Sequence, residues 1–253
     1  MKVVYSDLKN KRVFISGGGS GIGATIVEHF CEQKSEVYFI DIDLKSSKKL
    51  IKKIKKKGYR VPKFIECNIL DVKKLQNIIK DIISKKGAIH CLINSAANDD
   101  RHTTEQVDEK YWENRMGINL KHYFFAAQAV VKGMKKIKSG SIVNLSSVSW
   151  MLGEGDKVVY ETAKSAVVGL TRSFAQEFGK YNIRTNSVIT GSIATVRQIK
   201  HWLTPKYKKL ILDSQAIKRQ LKPDDVARLV LFLSSDQSSG CTKQSFVVDG
   251  GIT

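Results

Sequence analysis

Arg12-Val13-Phe14-Ile15-Ser16-Gly17-Gly18-Gly19-Ser20-Gly21-Ile22-Gly23 is the stretch that decides the fold. Arg12 to Ser16 reads as a short apolar strand. It runs directly into a glycine turn, and the helical pattern of Ala24 to Cys31 follows. A strand, a glycine turn and a helix start are the parts of a dinucleotide site. Glycine lets the backbone approach a pyrophosphate closely, and the helix start offers free N–H groups and a favourable dipole. The same glycines would also serve a tight turn with no ligand. A second strand, Glu36 to Ile40, ends at Asp41. A carboxylate there can accept bonds from the adenosine ribose hydroxyls and repels a 2′-phosphate. Ile42 follows, where an arginine would suit NADP. The pattern predicts NAD as cofactor, held by Gly17, Ser20, Gly21, Ile22, Gly23, Asp41 and Ile42.

Outward from this stretch, strands and helices alternate. Apolar runs at Val13–Ser16, Glu36–Ile40, Pro62–Cys67, Ile89–Asn94, Ser141–Ser146, Ile183–Ile189 and Ser245–Asp249 read as strands. Their near-continuous apolar character suits a parallel sheet covered on both faces. Helical stretches include Val72–Lys86, Leu120–Lys136, Val159–Phe178 and Pro223–Ser234, the last opened by Pro223-Asp224-Asp225. The prediction is an α/β chain with a Rossmann-type, doubly wound parallel sheet of about seven strands. It is read as one domain over 1–253, with a cofactor half to about residue 115 and a catalytic and substrate half beyond it. The mixed segment 194–219 interrupts the alternation. Gly17, Asp41, Asn94 and Ser147 all follow strands, so one sheet edge collects them, where ligands bind in such sheets.

Tyr160-Glu161-Thr162-Ala163-Lys164 carries the candidate chemistry, with Ser147 upstream. On a helix, positions i and i+4 share a face, so the ammonium lies beside the phenol. A free tyrosine titrates near pH ~10, too high for a base at neutral pH. A nearby positive charge lowers that value by about 1–3 units, into the range useful for a general base.

Together these residues resemble the short-chain dehydrogenase/reductase family over nearly the whole chain. Ser16-Gly17-x-x-x-Gly21-x-Gly23 looks like its cofactor motif, with Ser for Thr. Ser147, Tyr160 and Lys164 fall on its catalytic trio, Asn119 on its fourth active-site residue, and Val248-Asp249-Gly250-Gly251 on its C-terminal ending. The resemblance implies further cofactor contacts at Asn68, Ile69, Asn94, Ala96, Tyr160, Lys164, Ile193 and Thr195. It implies that Asn119 holds a water linking Lys164 to solvent, that 194–219 is a helical flap over substrate, and that the protein is a homotetramer with helices around Leu120 and Val159 at the interface. Three departures are Ala97 for Gly, Thr190 for Pro and Lys243 for Gly. Thr190 is expected to free a loop that proline would stiffen.

Within the family, five patches resemble bacterial aldose 1-dehydrogenases, most closely the D-xylose type. They are Asn98-Asp99-Asp100-Arg101-His102, Ser149-Trp150, Tyr160 to Lys164, Gln198, and Trp202-Leu203-Thr204-Pro205. The implied substrate is a small sugar. Trp150 and Trp202 would cover its apolar face; Asn98, Glu154 and Gln198 would bond its hydroxyls, beside Ser147 and Tyr160. Core packing for Trp150 and flap anchoring for Trp202 are the competing readings. Asp99 to His102 are expected to shape their loop by local salt bridges. In the implied reaction Tyr160 takes the proton of the anomeric hydroxyl, hydride leaves C1 for the nicotinamide, and a lactone forms. A reductase of the same fold for a keto or hydroxy acid, polyol or 3-oxoacyl substrate is the alternative, and a non-catalytic NAD- or nucleic-acid-binding protein a further one.

Composition limits the remaining classes. The chain has 253 residues, enough for one ordinary α/β domain. No apolar run approaches the ~18 residues of a membrane span, and the N-terminus carries no signal-peptide pattern. Cys31, Cys67, Cys91 and Cys241 are dispersed, which predicts free thiols in a reducing, cytoplasmic setting and no bound metal. The net charge is +19, a value that raises the question of nucleic acid. The densest cluster, Lys45 to Lys57, lies on one helix without basic-aromatic interleaving, which predicts a solvated face and no nucleic-acid partner.

Overall fold

A computed structural model describes residues 3–253. Its strands are β1 (Arg12–Ser16), β2 (Glu36–Asp41), β3 (Lys63–Glu66), β4 (Cys91–Asn94), β5 (Gly140–Ser147), β6 (Ile183–Thr190) and β7 (Ser245–Val248). They form one parallel sheet in the order β3-β2-β1-β4-β5-β6-β7. Each strand but the last is followed by helix, which a parallel connection requires. The helices are α1 (Gly21–Glu32), α2 (Leu44–Lys56), α3 (Val72–Lys86), α4 (Glu109–Met116), α5 (His122–Ile137), α6 (Ser149–Leu152), α7 (Val158–Phe178), α8 (Val196–His201), α9 (Pro205–Ser214) and α10 (Pro223–Ser234).

Alternation along β1 shows why the strands read as apolar throughout. Val13 and Ile15 face one layer, with Val27, Phe30 and Val230; Phe14 faces the other, with Leu92, Val130 and Ile142. All three are fully buried. Both faces of the sheet are therefore core, and truncating such a side chain to alanine costs about 2–5 kcal/mol. Short polar side chains start several helices: Asp43, Asp71 and Asp108 accept from Ser46, Lys74 and Tyr111 N–H at 2.9, 2.9 and 2.6 Å.

Most predicted elements stand within one or two residues of where the sequence puts them. One differs in kind. The helix expected over Leu120–Lys136 is α5 preceded by a π-helical turn at Gly117–Lys121, and α4 runs directly into that turn. Gly117 lets this turn pack close to Leu70, whose Cδ2 would lie 2.7 Å from a Cβ there. Asp249, read as the end of the last strand, lies beyond it. Its carboxylate accepts from the backbone N–H groups of Gly251, Ile252 and Thr253 at 2.8, 3.2 and 2.9 Å, which closes the C-terminus.

Between β1 and β4 the strand order reverses, and consecutive connections leave on opposite faces. A cleft opens at such a point outside the carboxyl ends of the strands.

Candidate active site

The cleft is built first from the glycine turn. Gly17 and Gly18 donate to the Ile40 carbonyl at 2.9 and 3.1 Å, bending the chain across the end of β2. Gly17 has φ +68, the left-handed region, and a Cβ on it would lie 2.6 Å from Ala96 Cα. Gly23 is required by closeness: its Cβ would sit 2.0 Å from the Gly17 carbonyl oxygen. Asp41 holds the turn, accepting from Gly19 N–H at 2.8 Å through one oxygen and from Asp43 N–H at 2.9 Å through the other. Ser20 precedes α1 without bonding its N–H groups, so the helix start stays available to an anion.

Ser16 fixes the floor. Its Oγ accepts from Ser95 and Ala96 N–H at 3.1 and 3.3 Å and contacts His122 Nε2 at 3.3 Å. With both backbone bonds made, the hydroxyl proton points to His122. Burial, then the Lys164 charge, pull that imidazole down to about 3, so it stays neutral.

The cleft has a volume of about 490 Å³. Gly17, Ser20, Ile22 and Gly23 line its glycine end; Asp41, Ile42, Asn68 and Ile69 line the side after β2 and β3. Ala96, Tyr160, Lys164, Ile193 and Thr195 line the other end. Two predicted contacts do not line it. Asn94 is fully buried and donates to Asn144 Oδ1 at 2.8 Å, and Asn144 donates to Thr171 Oγ1 at 3.0 Å; it joins β4, β5 and α7. Gly21 lies behind the lining, with φ +55. The cradle suits a dinucleotide, since a side chain at Gly17 or Gly23 has no room and the Asp41 carboxylate stands at the end of β2.

Ser147 ends β5, and α7 brings Tyr160 on its first turn and Lys164 on the next. Val159 N–H, in the first turn of α7, donates at 3.3 Å to Nε2 of the buried His102, a cap supplied from the loop after β4. Lys164 Nζ lies 5.6 Å from the Tyr160 ring centre, as the spacing implied. The expected acidification of the phenol does not follow from this geometry. Burial, reinforced by the negative Asp99, pushes Tyr160 well above the ordinary phenol value, against a lowering bond with Ser147. Burial likewise pulls Lys164 down to about 7, with Asp99 opposing. Removal from water outweighs a charge that makes its own hydrogen bonds elsewhere.

Asn119, in the π-helical turn, also differs from expectation. Its side chain does not line the cleft. It clasps the Asn98 backbone, accepting from Asn98 N–H at 2.8 Å and donating to Asn98 O at 3.0 Å. Each end of the amide makes one of these bonds, which leaves one N–H and one oxygen lone pair unused by Asn98.

Of the predicted substrate residues, Asn98, Ser147, Glu154, Tyr160 and Gln198 line the cleft, whereas Trp150 and Trp202 do not. Trp202 stacks on the Arg101 guanidinium at 4.8 Å, and Tyr207 approaches that guanidinium at 5.3 Å. The tryptophan therefore ties segment 194–219 to the loop after β4, and Tyr207 reaches the cleft in its place. Trp150 is half-buried on α6. The Asp99–His102 loop is laced by salt bridges as expected: Arg101 with Asp156, Arg197 with Asp99 and Asp100, and Arg115 with Asp100 at 3.1 Å. Asp99, Arg101 and Lys157 also line the cleft, which the sequence reading missed; their charge pattern gave no sign of which side faced inward. Glu154, Asp156 and Glu161 bring carboxylates within 4.8 Å of one another, but Lys157 and Arg101 pair with the first two. Thr190 does not loosen its loop: its hydroxyl donates to Ser146 O at 3.2 Å and its carbonyl accepts from Val148 N–H at 3.0 Å.

The cleft thus joins a glycine cradle of nucleotide type to a serine, a tyrosine and a lysine at its other end. The family model described as enoyl-(acyl carrier protein) reductase matches residues 17–253. D-Xylose 1-dehydrogenase of Caulobacter vibrioides is 41% identical over 249 residues, covering 98% of each chain. The probable galactose dehydrogenase of Rhizobium meliloti is 39% identical over 98% of this chain and 97% of its own. The solved 3-oxoacyl-[acyl-carrier protein] reductase of Brucella melitensis superposes with a TM-score of 0.91 at 26% identity, covering 99% of this chain and 94% of that one. The chain belongs to the short-chain dehydrogenase/reductase family, whose dehydrogenases use nicotinamide cofactors.

Proposed function

We propose that this protein is an NAD-dependent sugar 1-dehydrogenase that oxidises an aldose to its lactone. The observation that carries this reading is the composition of the cleft beside Tyr160 and Ser147. Asn98, Asp99, Glu154 and Gln198 give it side-chain acceptors and amide groups matched to a ring of hydroxyls. A site of this type discriminates strongly against analogues that leave its polar groups unpaired. The names of the two sugar-dehydrogenase relatives support the same reading. Asp41 supports NAD, because it would face a 2′-phosphate with like charge.

Oxidised nicotinamide, when bound, supplies the hydride acceptor and a positive charge. This chain's residues do the rest. Tyr160 takes the proton from the anomeric hydroxyl, Ser147 bonds the same oxygen, and Lys164 supplies an ammonium beside the phenol. Asn119 holds Asn98, and with it the loop that presents Asp99 to the substrate. The flap residues Gln198 and Arg197 close on Asp99.

A panel of D-xylose, L-arabinose, D-fucose, D-galactose and D-glucose with NAD or NADP, read by reduced-nicotinamide absorbance, tests this. Turnover of at least one aldose, faster with NAD, is expected. Turnover of 3-oxoacyl substrates with none of the sugars would overturn it in favour of the reductase reading.

A further inference from the structure

Tyr123 lies outside every motif described above. It enters from the first turn of α5 and is completely buried. Its hydroxyl stands in a closed triangle. It accepts from Lys164 Nζ at 2.8 Å and donates to the Leu145 carbonyl at 2.9 Å, and the same carbonyl accepts from Lys164 Nζ at 2.9 Å. The neighbouring His122 ring lies 4.4 Å from the Tyr123 ring, and its Nε2 reaches Ser16 on β1. Two consecutive residues of α5 thus tie the cofactor strand and the catalytic lysine to one helix turn.

We propose that Tyr123 is a positioning residue for Lys164, its hydroxyl and the Leu145 carbonyl fixing the ammonium beside Tyr160 with one N–H left for the cleft. An ammonium has three donors, and this triangle uses two of them. A phenylalanine would fill the same space against His122 and β5, so packing alone does not require the buried oxygen. A charge this deep needs acceptors to persist, since burial favours the neutral amine. The titratable and charged groups around it are Tyr160 on α7, Asp99 on the loop after β4, and the neutral His122 on α5. Asp99 favours the ammonium, and Tyr123 adds an acceptor without adding charge. This inference rests on the reading of Lys164 as the catalytic lysine.

The test compares the full-length protein with Tyr123→Phe and Tyr123→Gln. Lys164 is labelled with pyridoxal 5′-phosphate and borohydride across a pH series, and its peptide is quantified by mass spectrometry. Labelling needs neither substrate nor cofactor, so it stands even if no aldose is turned over and the proposed function fails. Removing the acceptor in Tyr123→Phe is expected to move the Lys164 midpoint down by about one pH unit, a tenfold change in proton affinity, and to lower kcat about tenfold where turnover is measurable. Tyr123→Gln restores an acceptor and is expected to return the midpoint towards the wild-type value. An unchanged midpoint in Tyr123→Phe, or equal midpoints in the Phe and Gln variants, would overturn the proposal. If Tyr123→Phe does not fold, Tyr123→Leu against Tyr123→Gln makes the same comparison with the same two outcomes.

Discussion

At the residue scale, the centre is governed by two opposing effects on one lysine. Burial pulls Lys164 down to about 7, while the unfolded chain holds its ammonium to about 10.4. Between those values unfolding takes up a proton, so native stability rises with pH through that window. Below it, the buried charge costs its full amount. Lys164→Met is therefore expected to abolish turnover and, at pH 6, to raise the melting temperature by roughly 3–6 °C, an increment of about 1–2 kcal/mol. That gain should shrink as pH approaches 10. Melting curves at both pH values check this, and a lower melting temperature at pH 6 would show that the lysine stabilises the fold. The meeting of Tyr160, Lys164 and Ser147 in one cleft was legible in the sequence because it depends on spacing along one helix and the end of one strand. Tyr123 was not, because residues 123 and 164 meet only when α5 and α7 pack on β5. The direction of the Tyr160 shift was also hidden, since burial depth has no local signature.

At the element scale, the glycine turn and the β-α alternation were legible, because strand periodicity and glycine conformations are local physics. The π-helical turn was not. An apolar pattern continuing through Gly117 looks the same whether the turn is widened or regular, and only the approach of Leu70 and the clasp of Asn119 on Asn98 distinguish them. The flap shows a similar limit. Trp202 and Gln198 were both visible as flap residues, but the choice between covering substrate and stacking on Arg101 was made by a loop a hundred positions away in the sequence. Arg101 sits between Trp202 and Tyr207 and pairs with Asp156, so it holds the flap down from the opposite wall. Such cation–π contacts contribute about 0.5–2 kcal/mol each. Arg101→Ala is expected to raise KM for the sugar about tenfold, with cofactor affinity kept, and to speed limited proteolysis within 194–219. Unchanged KM and unchanged cleavage would remove the clasp from this account.

At the scale of the whole molecule, the excess charge has a bland physical setting. All eight lysines from Lys45 to Lys57 are exposed on or just after α2, and Lys53 and Lys57 pair with Glu28. Their exposure on the outer side of α2 accords with the pattern. Among the described residues no helix is long and apolar enough to cross a membrane, and the four cysteines are free. The outer faces of α4, α5 and α7 leave Trp112, Phe124 and Val158 about 40% exposed, which suits burial against further copies of the chain. The tetramer inferred from the family predicts that light scattering gives four copies and that Phe124→Glu yields smaller species. A wild-type monomer would contradict it.

The most direct measurement is the rate of NAD reduction by the sugar that the wild-type protein oxidises best, repeated with Tyr160→Phe. The account predicts a loss of several orders of magnitude in kcat, with NAD affinity nearly unchanged by fluorescence titration. Wild-type turnover in Tyr160→Phe would contradict it, because the proton would then leave the sugar by some group other than this phenol.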